Sequence, residues 1–316
     1  MGLLVDGRWT DRWYDTSTHG GRFIRRAAAF RNWITPDGAP GPTGQGGFKA
    51  EPGRYHLYVS LACPWAHRTL IFRALKGLEA IIPISIVHWF MGEQGWSFNQ
   101  GHGVIPDPIG GARFLHEVYT RSNPSYTGRV TVPVLWDKER NEIVSNESSE
   151  IIRMMNSAFD GVGAAPGGFY PVELRDMTDA FNARIYDTVN NGVYKAGFAT
   201  TQEAYEEAVR PLFATLDALE ERLATHGISA AGVLPRPIGG CSRHWCDSTL
   251  SMSDTSNATC AASWTTPISG DSPASSISIP VSQGRPISSI SRSITIRATS
   301  RSIRPALFHS GLISTF

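Results

Sequence analysis

The chain has no apolar run long enough to span a bilayer, and no membrane partner is expected. Its first residues, MGLLVDGRWTDRW, lack the basic start and long apolar stretch of a secretory signal peptide. Met-Gly opens like a myristoylation site, but Asp6 stands where that signal needs Ser or Thr. Four cysteines in 316 residues are too few for a disulfide framework, so a cytoplasmic, reducing compartment is expected. Neither sign of charge is in excess: 29 Lys and Arg face 28 Asp and Glu, a net charge of +1, which argues against nucleic acid as a partner. No metal is expected. The length suffices for two modest domains.

What is present centres on Tyr55 to Leu75, YHLYVSLACPWAHRTLIFRAL. Tyr55 to Ser60 is aromatic and β-branched and reads as a strand. From Trp65 on, Ala66, Leu70, Phe72, Ala74 and Leu75 fall close to helical spacing. Cys63-Pro64 is the junction, and proline suits the first turn of a helix. Cys63 therefore stands at a helix mouth, where free N–H groups and the positive end of the dipole favour thiolate over thiol. His67 and Arg68 add positive potential from the first turn. The alternative is a buried structural cysteine.

A dithiol motif would carry its second cysteine three residues on, where Ala66 stands. A mixed disulfide on Cys63 would thus need an outside thiol, and glutathione is the obvious small one. CPWAHR after a strand, with the GRW segment near the start, resembles the glutathionyl-hydroquinone reductases, the Xi class of glutathione transferases. The resemblance runs to about His226. It implies an α/β thioredoxin-like N-terminal domain followed by an all-α glutathione-transferase C-terminal domain, with glutathione as co-substrate.

Residues 1–50 form an N-terminal extension rich in Gly, Arg and aromatics, without regular period, which reads as a packing arm. Residues 51–160 are expected to form the glutathione-binding domain. Within it, Ile81 to Trp89 reads as a buried strand, and Phe90 to Gly128 as a long irregular segment with a helical patch at Ala112 to Tyr119. Val130 to Asp137, a turn, Glu142 to Ser145 and a helix from about Asn146 complete the order. Pro133 cannot sit inside an ordinary strand, so Val132-Pro133 suggests a cis bond at a strand end. The resemblance places that proline opposite the cysteine, with the backbone of Val132 offered to the cysteinyl part of glutathione. It also assigns Ser148 to the γ-glutamyl carboxylate and Glu147 to the ammonium, at a helix start that attracts anions anyway. Arg129 would face the glycyl carboxylate, and Trp96 would stack or hydrogen-bond along the tripeptide.

Asp160 to Gly168 reads as a linker. Residues 170–226 read as the start of the helical domain. Gln202 to His226 sets Ala204, Ala208, Leu212, Leu216, Leu219 and Leu223 on one side, with a bend expected at Pro211. Tyr194 matches a family tyrosine whose hydroxyl faces the hydroquinone.

Residues 227–316 contain no Glu, Lys or Tyr and are dominated by Ser, Thr, Ile, Pro and Arg. A low-complexity tail is one reading. A reading-frame slip fits better. Back-translated one frame over, LPRPIGGCSR (Leu234 to Arg243) can read TEADWRLF, and SMSDTSNATC (Ser251 to Cys260) can read YVGHFKCNL. SWTTPISG (from Ser263) can read VDYPNLW, and RSIRPALFHSGLI can read VDPARIVPFGPD. These are family-like motifs in the family's order. Cys241, Cys246 and Cys260 are then neither metal ligands nor redox partners. The homodimer usual in the family becomes doubtful here.

The implied reaction is reduction of a glutathionyl-hydroquinone to the hydroquinone. Cys63 attacks the glutathione sulfur, Tyr194 supplies a proton, and a second glutathione resolves the mixed disulfide. Competing readings are an Omega-like thioltransferase or dehydroascorbate reductase, a non-catalytic assembly protein, and a frameshift product without activity.

Overall fold

The architecture is that of a computed structural model, which describes residues 2–226. The described residues all belong to one compact unit. The expected frame slip, and Cys241, Cys246 and Cys260, lie outside them.

The extension begins with two short strands, β1 (Leu3–Val5) and β2 (Arg8–Thr10), joined by a tight turn. Asp6 and Gly7 both take positive φ in that turn. The central strand β3 (Tyr55–Val59) is buried throughout, so it reads as a continuous apolar run rather than an alternating one. Helix α1 (Pro64–Leu75) follows, with proline in its first turn as expected. Strand β4 spans only Ile84–Ile86, shorter than the sequence predicts. Pro83 has no N–H to donate and bounds it, although its carbonyl still accepts from the Leu57 amide at 2.9 Å. Ile105 bridges to Ile86 and covers this edge strand.

Helix α2 covers Leu115–Ser122. The strand predicted from Val130 to Asp137 is shorter and begins at Val134, and a separate short strand precedes it. Gly128–Arg129 forms β5, which pairs with β1, and β6 is Val134–Asp137. Between them lies the cis Val132-Pro133 bond, where the sequence places it. Strand β7 (Glu142–Ser145) and helix α3 (Ser148–Ser157) complete the α/β part.

The main sheet has the order β4-β3-β6-β7, with β3 and β4 parallel and the other pairs antiparallel. With α1 and α3 packed together and a cis-proline opening β6, this is a thioredoxin-like fold. A second, three-stranded sheet, β2-β1-β5, ties the N-terminal extension to the segment that carries Arg129. At one edge of the core, Arg54 donates from Nε and Nη2 to the fully buried Asp137, at 3.0 and 2.5 Å. The pair holds the start of β3 to the end of β6.

The expected linker is anchored to α1. Lys76 Nζ donates to Asp160 Oδ1 at 2.8 Å and to the Gly167 carbonyl at 2.6 Å. Helix α4 (Arg175–Ile185) passes through a π-helical turn (Tyr186–Asn190) into α5 (Gly192–Gly197). Helix α6 (Gln202–His226) continues past Pro211 as one helix. It buries Ala204, Ala208 and Leu212, while Leu216 and Leu219 of the expected stripe are half-buried. None of the described helices is long and apolar enough to cross a membrane.

Candidate active site

Cys63 is the N-cap of α1, with extended backbone angles (φ −103°, ψ 115°). Its carbonyl accepts from the Ala66 and His67 amides at 3.1 and 2.9 Å, which closes the first turn. The side chain is half-buried, and Sγ donates to the Val132 carbonyl across the cleft at 3.6 Å. The cis bond exposes that carbonyl to the sulfur by turning the chain just before β6.

The electrostatics differ from the sequence expectation. Burial pushes the Cys63 thiol up, against the Ala66 and Trp65 amides and the charges of Arg25 and Arg68, which pull it down. The sulfhydryl is directed at the Val132 carbonyl. The helix mouth contributes in the expected direction but does not win. Of the two basic residues in the first turn, only Arg68 is buried; His67 is exposed.

Glu147 and Ser148 stand where α3 begins. Glu147, rather than Asn146, is the N-cap, and its Oε1 accepts from the Ser149 amide at 3.1 Å and the Ser149 hydroxyl at 2.8 Å. Arg68 donates to Ser148 Oγ from Nε at 3.0 Å and Nη2 at 2.7 Å. Its Nη2 also lies 3.7 Å from Glu147 Oε1. Arg68 thereby links the cysteine-bearing helix to the start of α3. Beyond Glu147 opens a cleft of about 460 Å³, lined by Arg31, Arg68, Ser149, Glu150 and Tyr186 among others. Arg31 and Glu150 form an ion pair at its edge.

Arg129 and Trp96 sit against the N-terminal extension. Arg129 Nη1 donates to the carbonyls of Gly2 at 3.0 Å and Arg12 at 2.7 Å, and its guanidinium lies 4.0 Å from the Tyr14 ring centroid. Trp96 packs against the core at the end of the GEQGW loop. Trp9 secures that loop by donating from Nε1 to the Glu93 carbonyl at 2.8 Å. Gly95, at φ +74°, leaves room for the indole; a Cβ there would come within 2.7 Å of it. Arg129 is thus held by the N-terminal extension, and the Trp96 carbonyl accepts from the Leu115 amide at 2.9 Å.

Tyr194 lies on α5 among Phe23 and Phe198, with centroids at 6.5 and 6.0 Å. It is joined to the cysteine side by a residue that sequence reasoning passed over. The Arg25 guanidinium lies 4.9 Å from the Tyr194 centroid and 4.9 Å from that of Trp65, two residues after Cys63. Nothing in the spacing of GGRFIRR marks Arg25 out; the extended arm, with Phe23 in and Ile24 out, turns it inward. The extension thus packs a guanidinium between the cysteine-bearing helix and α5.

Chemically, the arrangement offers one thiol nucleophile at a helix start and an exposed backbone carbonyl opposite. It adds a carboxylate with a buried arginine at a second helix start. Among the described residues, no group of three or more His, Cys, Asp or Glu is placed to hold a metal.

Comparison with known proteins agrees with this geometry. The glutathione S-transferase N-terminal domain family matches residues 62–158. The chain is 59% identical over 223 residues to a glutathionyl-hydroquinone reductase of Sphingobium chlorophenolicum, covering 71% of this chain and 68% of the relative. It is 60% identical over 227 residues to the glutathionyl-hydroquinone reductase YqjG of Escherichia coli K-12, covering 72% of this chain and 69% of the relative. The glutathione-bound structure of YqjG matches at a TM-score of 0.64 and 56% identity, over 71% of this chain and 68% of that one. A Xi-class glutathione transferase from Natrialba magadii matches at a TM-score of 0.62 and 43% identity, over 71% of this chain and 66% of that one.

Proposed function

Because the chain belongs to the glutathionyl-hydroquinone reductases, the Xi class of glutathione transferases, we propose that it reductively removes glutathione from glutathionyl-hydroquinones through a Cys63–glutathione disulfide. Glutathione lies along the cleft, with its cysteinyl amide on the Val132 carbonyl. Its γ-glutamyl carboxylate meets Ser148 and its ammonium meets Glu147. Arg129 faces the glycyl carboxylate, and Trp96 stacks or hydrogen-bonds along the tripeptide. The single observation that carries this reading is the Cys63 sulfur facing the Val132 carbonyl at the cis-proline, 3.6 Å away.

In that position the incoming amide of glutathione takes over the acceptor that the thiol uses. The sulfur then loses the Val132 carbonyl as acceptor, while the Ala66 and Trp65 amides and the charges of Arg25 and Arg68 remain to favour the thiolate. The thiolate attacks the glutathione sulfur of the thioether, and the quinol leaves with proton donation from Tyr194. A second glutathione attacks the mixed disulfide, releasing oxidised glutathione and regenerating Cys63. Serine at this position can orient a thiol but cannot form the disulfide.

The test is turnover of the purified chain with a glutathionyl-hydroquinone beside dehydroascorbate. Release of the quinol with formation of oxidised glutathione, abolished in Cys63→Ser, is the expected result. Activity on dehydroascorbate alone would transfer the site to an Omega-like thioltransferase.

We further propose that residues 227–316 are read out of frame, supported by the four family-like motifs recovered in one alternative frame. The domain limits at 51–160 and 170–226 and a cytoplasmic location belong to the same reading. Sequencing the gene across codon 226 decides the frame: a single missing base is expected, and an intact frame overturns it. Restoring the base is expected to restore the family's homodimer, measured by light scattering.

A further inference from the structure

Residues 22–32 of the N-terminal extension act as a strap across the cleft. At one end, Arg22 donates from Nε at 2.7 Å and from Nη2 at 2.6 Å to Glu207 of α6. The Gly21 carbonyl accepts from the Thr200 amide at 3.0 Å. At the other end, the Asn32 amide donates to the Val144 carbonyl at 2.9 Å, and Phe30 N donates to Asn146 Oδ1 at 3.1 Å. Between these anchors the backbone is extended enough to turn Phe23 inward and Ile24 outward. Arg25 follows on the inward side.

Its surroundings are unusual for a guanidinium. Trp65 and Tyr194 flank it, each centroid 4.9 Å away, and Nη1 reaches Asn191 Oδ1 at 3.4 Å. Arg25 is half-buried, yet no carboxylate pairs with it among the described residues, although Arg22, Arg31, Arg54 and Arg68 all have one. A partly desolvated cation fixed by two rings, without a counter-ion, is suited to an anion that forms only transiently. The Cys63 sulfur lies within its field.

We propose that Arg25 is a catalytic residue of the quinol side of the cleft, where its guanidinium receives the negative charge that develops on the quinol oxygen as the carbon–sulfur bond breaks. The inference rests on the reductase reading above. Attack of the Cys63 thiolate forms the sulfur–sulfur bond and breaks the bond between sulfur and ring carbon. The thiolate is oxidised, and the electron pair of the broken bond enters the ring. In the keto tautomer, whose ring carbon already carries a proton, that pair restores aromaticity and leaves the former carbonyl oxygen as phenolate. Arg25 holds this oxygen until it is protonated. No further reductant is needed, because the two electrons come from the thiolate.

The experiment compares the full chain with Arg25→Gln and Arg25→Lys on glutathionyl-hydroquinones whose ring substituents vary the acidity of the phenol. Arg25→Gln is expected to lower kcat roughly 100-fold. The loss should be largest for the least acidic quinols, while Arg25→Lys retains most of the rate. Loss of the Arg25 charge should move the pH profile of Cys63 alkylation by iodoacetamide upward, by much less than the loss in kcat. A loss uniform across the quinols, or one matched by the shift in thiol titration, overturns the proposal and leaves the reductase reading standing. Absence of quinol release by the unsubstituted chain overturns both.

An equilibrium readout guards against a variant that does not fold. In the Cys63→Ser chain, bound 4-nitrophenol should ionise at least about one pH unit lower than it does free. Addition of Arg25→Gln should abolish most of that shift. No shift in the parent chain, or the same shift in both, counts against the role.

Discussion

Glu147 offers the most discriminating substitution, because its two tasks separate. Its Oε1 caps α3 by accepting from the Ser149 amide at 3.1 Å, and in the proposed complex the same carboxylate meets the ammonium of glutathione. Glu147→Ala removes both. Loss of the cap costs about 1 kcal/mol of stability, roughly 2–4 °C in Tm for a domain of this size class. Glu147→Gln keeps an acceptor oxygen at the cap and loses only the charge. Arg68, whose Nη2 lies 3.7 Å from Glu147, keeps the Ser148 hydroxyl. A charge-assisted hydrogen bond contributes about 1.5–3 kcal/mol, so Kd for glutathione should rise about 10- to 150-fold in either variant. Calorimetric titration in a Cys63→Ser background avoids the mixed disulfide, and thermal unfolding reports the cap. The expected outcome is weak binding in both variants and a lowered Tm in Ala only. Binding by Glu147→Gln within about twofold of the parent would refute the assigned role, since a lost ion pair in this half-buried place is worth at least about one decade.

Other substitutions test the scaffold and the thiol. Asp137→Asn removes the buried charge partner of Arg54, which keeps the more exposed Glu51 and Glu139, and should cost about 1.5–3 kcal/mol, read by denaturant unfolding. His56 is buried with Nε2 2.8 Å from Ser85 Oγ, and burial lowers its pKa to about 4. Its neutral form therefore contributes stability that is fully present above the unfolded value of about 6.5 and is lost as the pH falls toward 4. His56→Gln should flatten that part of the stability profile. Because the Cys63 thiol is pushed up in the free chain, its alkylation should accelerate with pH beyond the range of an ordinary thiol. S-methylglutathione at saturation should move the midpoint of that profile down as it takes the Val132 carbonyl. A profile insensitive to the ligand would contradict the exchange at Val132.

The sequence revealed the parts of the site that rest on local rules. Cys63-Pro64 marks a helix start, Val132-Pro133 a cis bond and Glu147-Ser148 another helix start; each follows from the chemistry of one or two adjacent residues. What stayed hidden depends on distant partners. Strand β5, at Gly128–Arg129, was not expected, because it exists only by pairing with β1, 120 residues and more away in sequence. The inward turn of Arg25 depends on Phe23 finding Tyr14 and Phe198, which no period announces. The upward push on the Cys63 thiol comes from burial in the fold, an effect that the helix start alone does not reveal.

Mass spectrometry of the chain after brief incubation with a glutathionyl-hydroquinone, quenched with acid before excess glutathione is added, tests the central claim most directly. One glutathione bound through a reducible disulfide to the Cys63 peptide, formed together with one equivalent of free hydroquinone, is the predicted result. Release of hydroquinone with Cys63 unmodified at every time point, or in the Cys63→Ser chain, would contradict it.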